Sequence, residues 1–171
     1  DALVQIEAII SNGVGTPPQE SCDLIKVARN TENAPKSIGP YTQTVAFSHY
    51  NNISAQLPID PKSGRIVGND VKEQAKQCLE NIKAIVESID HVMDDVVKIN
   101  LGLKNLADID AVNEVYTTFF KGDLPARTTV GVAAIPMDAL VQIDTVVSHG
   151  DGTPPQLPED TSLLVIEANN T

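Results

Sequence analysis

Asp1-Ala2-Leu3-Val4-Gln5-Ile6 returns as Asp138-Ala139-Leu140-Val141-Gln142-Ile143, and Gly15-Thr16-Pro17-Pro18-Gln19 returns as Gly152-Thr153-Pro154-Pro155-Gln156, both at an offset of 137 residues. A weaker echo continues beyond them: Leu24-Ile25 and Asn30-Thr31 resemble Leu164-Val165 and Asn170-Thr171. A period of this length is the size of a whole small domain and far too long for a solenoid repeat. Two readings follow. In the first, the chain is part of a tandem array: residues 1–19 are the terminal strand and turn of a preceding repeat, 20–31 a linker, 32–149 one full domain, and 150–171 a further linker or tail. In the second, one domain carries a duplicated terminal strand. Either way, residues 1–10 are an apolar, β-like segment that needs a sheet edge, because an unpaired hydrophobic strand invites aggregation.

Composition narrows the function classes. Of 171 residues, 42% are hydrophobic, which is enough for an ordinary core without metals or disulfides. Trp is absent, and Phe and Tyr number three each, so Val, Ile, Leu and Ala must fill that core. The formal charge of −11 repels phosphate backbones. Lys62, Arg65, Lys72, Lys76, Lys83, Lys98 and Lys104 are interleaved with acids as on a solvated surface, so nucleic acid is not the expected partner. Cys22 and Cys78 form no disulfide framework or metal-binding spacing, and Cys78 sits on an apolar helical stripe where a buried thiol is expected. No signal peptide and no bilayer-length apolar run is present, which points away from membranes to a cytoplasmic protein, or a mitochondrial-matrix one if a presequence has been removed.

The local pattern predicts ββαβαββ. Thr44 to Ser48 and Asn52 to Gln56 read as strands, followed by a turn at Ile59-Asp60-Pro61-Lys62-Ser63-Gly64. Asp70 and Glu73 mark a helix start, after which Val71, Ala75, Cys78, Leu79, Ile82, Ile85 and Val86 recur at helical spacing. Within Asp95 to Leu103, Val97, Ile99, Leu101 and Leu103 alternate with Val96, Lys98, Asn100 and Gly102, which predicts a strand with the first set buried. A second helix starts near Asp108, with Ile109, Val112, Val115, Tyr116 and Phe119 on its apolar side. Thr128 to Ala134 and Ala139 to Ser148 are β-branched strands separated by Ile135-Pro136-Met137. The order describes an α+β fold, a mixed sheet with two helices on one face.

Thr31-Glu32-Asn33-Ala34-Pro35, Ile38-Gly39-Pro40-Tyr41, Asp60-Pro61-Lys62-Ser63-Gly64, Asn81-Ile82-Lys83-Ala84-Ile85, Asp95-Val96-Val97-Lys98, Val112-Asn113 and Pro125-Ala126-Arg127 occur in the order and spacing of the RidA/YjgF family. The chain resembles that family over about two-thirds of its length. The resemblance implies a homotrimer whose sheets enclose a central barrel, with clefts between neighbouring subunits. It also implies cofactor-free hydrolysis of small 2-imino acids, chiefly 2-iminobutanoate and 2-iminopropanoate, to 2-oxo acids and ammonia. Some members are described as ribonucleases or translation inhibitors, a role that the acidic charge disfavours here.

The resemblance assigns candidate residues that the chemistry can be weighed against. A guanidinium grips one carboxylate through two parallel charge-assisted hydrogen bonds, and Arg127 matches the family's carboxylate-binding arginine; a structural ion pair at a strand start is its alternative. Tyr41 matches a tyrosine lining the cleft, and Ser54, Ala55 and Gln56 match a Ser-Gly-Gln segment. Ala55 adds a Cβ where relatives usually have glycine. Asn113 matches a cleft asparagine, with a helix-surface or capping role as the alternative. Thr128 and Thr129 follow Arg127, and Thr129 stands where many relatives carry cysteine. Gln142 replaces a glutamate thought to activate water. An amide can orient water but cannot take its proton, so general-base assistance of about 10²–10⁴-fold is not expected. Asp144, about 7 Å further along the same strand face, is a weak candidate for a substitute base, and a rim carboxylate is its favoured alternative. A non-catalytic module that binds small carboxylates or builds an assembly therefore competes with the deaminase. His49, His91 and His149 share no spacing suited to acid–base cleavage of RNA, and His91, after Asp90 in a turn, is expected to be solvated.

Overall fold

The computed structural model describes residues 27–47 and 50–148. The strand-like segment 1–10, its turn, Cys22, His49 and His149 lie outside the described residues. Eight principal elements follow one another: β1 (Val27–Arg29), β2 (Thr44–Phe47), β3 (Tyr50–Gln56), α1 (Val71–Glu87), β4 (Val96–Leu103), α2 (Ile109–Tyr116), β5 (Ala126–Gly131) and β6 (Val141–Ser148). The strands form one sheet in the order β1-β2-β3-β6-β4-β5. Among the described strands only β4 and β5 run parallel, joined by a crossover that contains α2; every other described pair is antiparallel.

Helix α1 starts where the Asp70 side chain accepts the Lys72 backbone N–H at 2.7 Å, a cap worth about 1 kcal/mol. It ends where Asp90 enters the left-handed region at φ 64° and the His91 N–H turns back to the Val86 carbonyl. The predicted stripe from Val71 to Val86 is buried throughout and meets the odd-numbered residues of β6, Val141, Ile143 and Val147. Each such side chain contributes about 1.5–3 kcal/mol by leaving water. Helix α2 packs beside α1, so both helices cover one face of the sheet. Cys78 is buried in this core, and desolvation pushes its thiol pKa well up.

Polar residues within the apolar face carry out a different task. Asn81 donates to the Leu57 and Ile59 carbonyls, and Gln74 accepts the Leu140 N–H at 2.8 Å. Two neutral amides on α1 thus pin the exit of β3 and the entry of β6. Burial of such groups is tolerated only because their partners are supplied.

Four expectations need correction. Val96, not Val97, is buried: they are 4% and 42% exposed. The pairing advances from Val96↔Val147 to Lys98↔Val146, so a bulge spends one extra residue and turns Val97 outward. Val27–Arg29, inside the segment read as linker, is edge strand β1, because its backbone pairs with β2. β5 runs from Ala126 to Gly131 and stops before Ala134; the chain then turns inward to bury Ile135. His91 is not solvated: its Nδ1 lies 3.1 Å from Asp95 Oδ2 and its side chain is mostly covered. The Asp60 turn forms as expected. Its carboxylate accepts the Lys62 and Ser63 N–H groups, which hold its pKa below the usual range, and Gly64 closes the turn at φ 67°.

Candidate functional site

Arg127 is the second residue of β5, an edge strand. In register with Ile99 of β4, it shares the face that carries the helices. Its Nη1 donates to Asn113 Oδ1 at 2.8 Å, and its Cζ lies 5.0 Å from the centre of the Tyr116 ring, within cation–π range. Asn113 and Tyr116 are three residues apart on α2 and so face the same way. Among the described residues Arg127 makes no ion pair, although it is exposed. Thr129, aligned with Leu101, lies on the same face; Thr128 lies on the other, where its hydroxyl accepts from Lys98 at 2.7 Å.

Gln142 lies in β6 directly opposite Gly102 of β4, on the helix-free face. A Cβ on Gly102 would come within 3.1 Å of Gln142 Cγ, so the glycine allows the amide side chain to lie across β4. Asp144 is next on this face, where its carboxylate accepts from Asn100 Nδ2 at 2.8 Å. One chain therefore places Arg127 and Gln142 on opposite faces of its own sheet.

The remaining candidates gather near β2 and β3. Between Ile53↔Thr145 and Gln56↔Ile143, β3 advances three residues against two on β6, a bulge centred on Ser54 and Ala55 beside Gln142's strand. Bulges interrupt the ladder and re-aim side chains next to sites. Ser54 donates its hydroxyl to the Thr42 carbonyl at 2.7 Å and its N–H to the Gln43 carbonyl. Gln56 is buried, with Nε2 on the Ser54 carbonyl. Tyr41 is exposed at the end of its loop, and its hydroxyl accepts the Ile38 N–H at 3.3 Å. An open cavity of about 900 Å³ lies beside it, lined in part by Ser37, Ile38, Ile59 and Lys62.

Two residues that organise the candidate site escaped the sequence. Gln43, 2% exposed, donates Nε2 to the Thr31 and Pro35 carbonyls and accepts the Thr31 N–H, so it clasps the loop that carries Tyr41. A glutamine at the mouth of a strand gives no periodic signal of burial. Tyr116 read only as part of an apolar stripe; Arg127's position across from it depends on the β4–β5 pairing. Strand spacing of about 4.8 Å sets β5 roughly 14 Å from β3, with β6 and β4 between them. Arg127, Asn113 and Thr129 thus stand at one edge, while Tyr41, Ser54, Ala55 and Gln56 stand towards the other. Among the described residues no group of His, Cys, Asp or Glu is arranged to hold a metal ion, and no helix is long and apolar enough to cross a membrane.

Comparison with known proteins adds relatives to this geometry. The family model described as Endoribonuclease L-PSP matches residues 31–149. A RutC family protein from Pyrococcus horikoshii is 46% identical over 116 residues, covering 68% of this chain and 92% of the relative. A 2-iminobutanoate/2-iminopropanoate deaminase from Salmonella typhimurium is 44% identical over 119 residues, covering 68% and 92%. The crystal structure of E. coli TdcF with bound serine superposes with a TM-score of 0.70 at 35% identity, covering 72% of this chain and 99% of that one.

Proposed function

This chain belongs to the RidA/YjgF family, the endoribonuclease L-PSP family of the matching model, and from that premise we propose that it hydrolyses small 2-imino acids to 2-oxo acids and ammonia. The observation that carries the reading is Arg127, an exposed guanidinium without a carboxylate partner among the described residues, oriented by Asn113 and Tyr116. Its charge is left for a ligand. A planar carboxylate with two acceptors fits a guanidinium fork, where a point-charge lysine would not fix its orientation. The names of the deaminase relatives supply the reaction class, and TdcF with bound serine shows a relative holding a small amino acid.

In the proposed reaction the ligand carboxylate docks on Arg127 and water adds to the C2=N bond. The C2–O bond forms as the C=N π bond moves to nitrogen, which takes a proton. The C2 hydroxyl then passes its proton, directly or through solvent, to the amino nitrogen as the C–N bond breaks, leaving a 2-oxo acid and ammonia. Gln142 orients the water through its amide, and solvent or the substrate nitrogen takes the proton that the amide cannot. Because a sheet separates Arg127 from Gln142 within one chain, the complete site takes Arg127, Asn113 and Thr129 from one copy of the domain and Tyr41, Ser54, Ala55, Gln56 and Gln142 from a neighbour. Thr128, turned to the other face, serves through its backbone. A homotrimer with clefts between subunits satisfies this requirement without a cofactor. The repeated terminal segments favour a tandem array in which adjacent domains of one polypeptide supply the two halves. A cytoplasmic or mitochondrial-matrix location is part of the same reading.

The test generates 2-iminobutanoate with a threonine dehydratase and follows its decay with the full chain present. Acceleration over buffer supports the proposal, and decay at the buffer rate rejects it. Gln142 favours a second reading, a non-catalytic module for small carboxylates. Binding of 2-oxobutanoate in a calorimeter without turnover selects that module. Ribonuclease activity rests on the family description alone; RNA cleavage that disappears with Arg127→Ala would replace both readings.

A further inference from the structure

We infer that Tyr116 is the positioning residue for Arg127, and that its ring face, not its hydroxyl, sets the plane in which the guanidinium meets a ligand. The inference rests on the carboxylate-binding reading of Arg127 and names what makes that arginine selective. Two constraints converge on one side chain. The Asn113 bond engages Nη1 and fixes how far the guanidinium rotates within its own plane, while the Tyr116 ring beneath Cζ fixes the plane itself. Together they leave the edge formed by Nε and Nη2, a two-donor fork that matches a carboxylate.

The ring is suited to act as a seat because its surroundings hold it. Tyr116 is 3% exposed and braced by Phe120, whose centroid lies 5.0 Å away at a tilt of 49°. Its hydroxyl has no hydrogen-bond partner among the described residues. A buried hydroxyl in that state destabilises the fold and holds nothing in place, so it does not account for the contact with Arg127. The π face does: a cation over an aromatic ring is attracted by the ring quadrupole, and the attraction scales with the electron density of the face. Asn113 and Tyr116 thereby act as a pair, set by helical spacing, that presents an arginine from another element.

The experiment changes the face without changing the shape. In the full chain, position 116 is replaced by phenylalanine and, separately, by trifluorophenylalanine, which withdraws density from the ring. Three quantities are read: the dissociation constant for 2-oxobutanoate, KM and kcat for 2-iminobutanoate, and the NMR linewidth of the Arg127 Nε–Hε signal. Tyr116→Phe, which keeps an electron-rich face, is expected to disturb all three quantities less than the fluorinated ring does. The fluorinated ring is expected to raise the dissociation constant and KM about two- to five-fold, leave kcat unchanged and broaden the Arg127 signal. Equal values for the two rings overturn the inference. So does a Phe variant as impaired as the fluorinated one, because the hydroxyl would then matter. If the wild type neither binds 2-oxobutanoate nor consumes the imine, the carboxylate reading fails, and the Arg127 signal alone still decides whether the ring is its seat.

Discussion

At the β5 edge a charged side chain stands in solvent against one helix; near β2 and β3, backbone carbonyls close around a neutral amide, Gln43. The first arrangement leaves Arg127 exposed and orients it with two partners, neither of them charged. A carboxylate partner would compete with the ligand and have to be displaced. The second arrangement buries its organiser, because Gln43 meets its amide partners within the loop it holds. The difference teaches a division of labour: attraction is placed at the rim, shape in the interior. Under the proposed reaction, joining Arg127 to Gln142 then takes a second copy of the domain, since they lie on opposite faces of one sheet.

The contrast can be broken most severely at its charged end. Arg127→Ala removes both donors to the ligand and is expected to lower kcat/KM for 2-iminobutanoate about 10²–10³-fold, the loss of two charge-assisted bonds. Its thermal midpoint should hardly move, because an exposed side chain contributes little to the core; a collapse in stability would mean that Arg127 is a structural residue after all. Mixing this variant, after unfolding and refolding together, with one that carries Gln142→Ala should restore activity if the site is shared between copies, whereas a site made within one copy stays dead.

Gln142→Glu restores a proton acceptor and is expected to raise kcat about 10²-fold, the lower end of general-base assistance, with KM nearly constant. An unchanged kcat would show that the amide is not beside the attacking water. A smaller effect, on stability, is expected at the other end of the sheet. Gln43→Leu strands the Thr31 and Pro35 carbonyls and should cost about 1–3 kcal/mol in denaturant titrations, a penalty that Arg127→Ala does not share. The smallest concerns Tyr116, whose phenol pKa is raised by burial, against the opposing charge of Arg127. A raised folded pKa means that stability is intact below the unfolded value near 10.0 and declines as pH climbs from there through the folded value. Tyr116→Phe should flatten that alkaline decline, and identical slopes for the two proteins would remove the phenol from the account.

Much of this architecture was legible residue by residue. The stripe from Val71 to Val86, the Asp70 cap and the Asp60 turn are local patterns, and local physics reproduces them. Val97 was misread because alternation assumes an uninterrupted ladder, and the bulge that reverses it depends on the pairing with β6. The burial of Gln43, Gln74 and Asn81 was not legible, because burying an amide depends on carbonyls and N–H groups elsewhere in the chain. The candidate site was nameable from its motifs, but its division was not. Which residues share a face follows from strand order, and a motif carries no strand order.

One such consequence of strand order lies in biosynthesis. β6 comes last among the described strands but sits in the middle of the sheet, between β3 and β4. From the end of β4 at Leu103 to the end of β6 at Ser148, 45 more residues must be added. At about 5–20 residues per second, a ribosome leaves the flanks of β3 and β4 unpartnered for roughly 2–9 s. The nascent domain therefore cannot close progressively from its N-terminus: the sheet remains two separate pieces until its final strand has emerged.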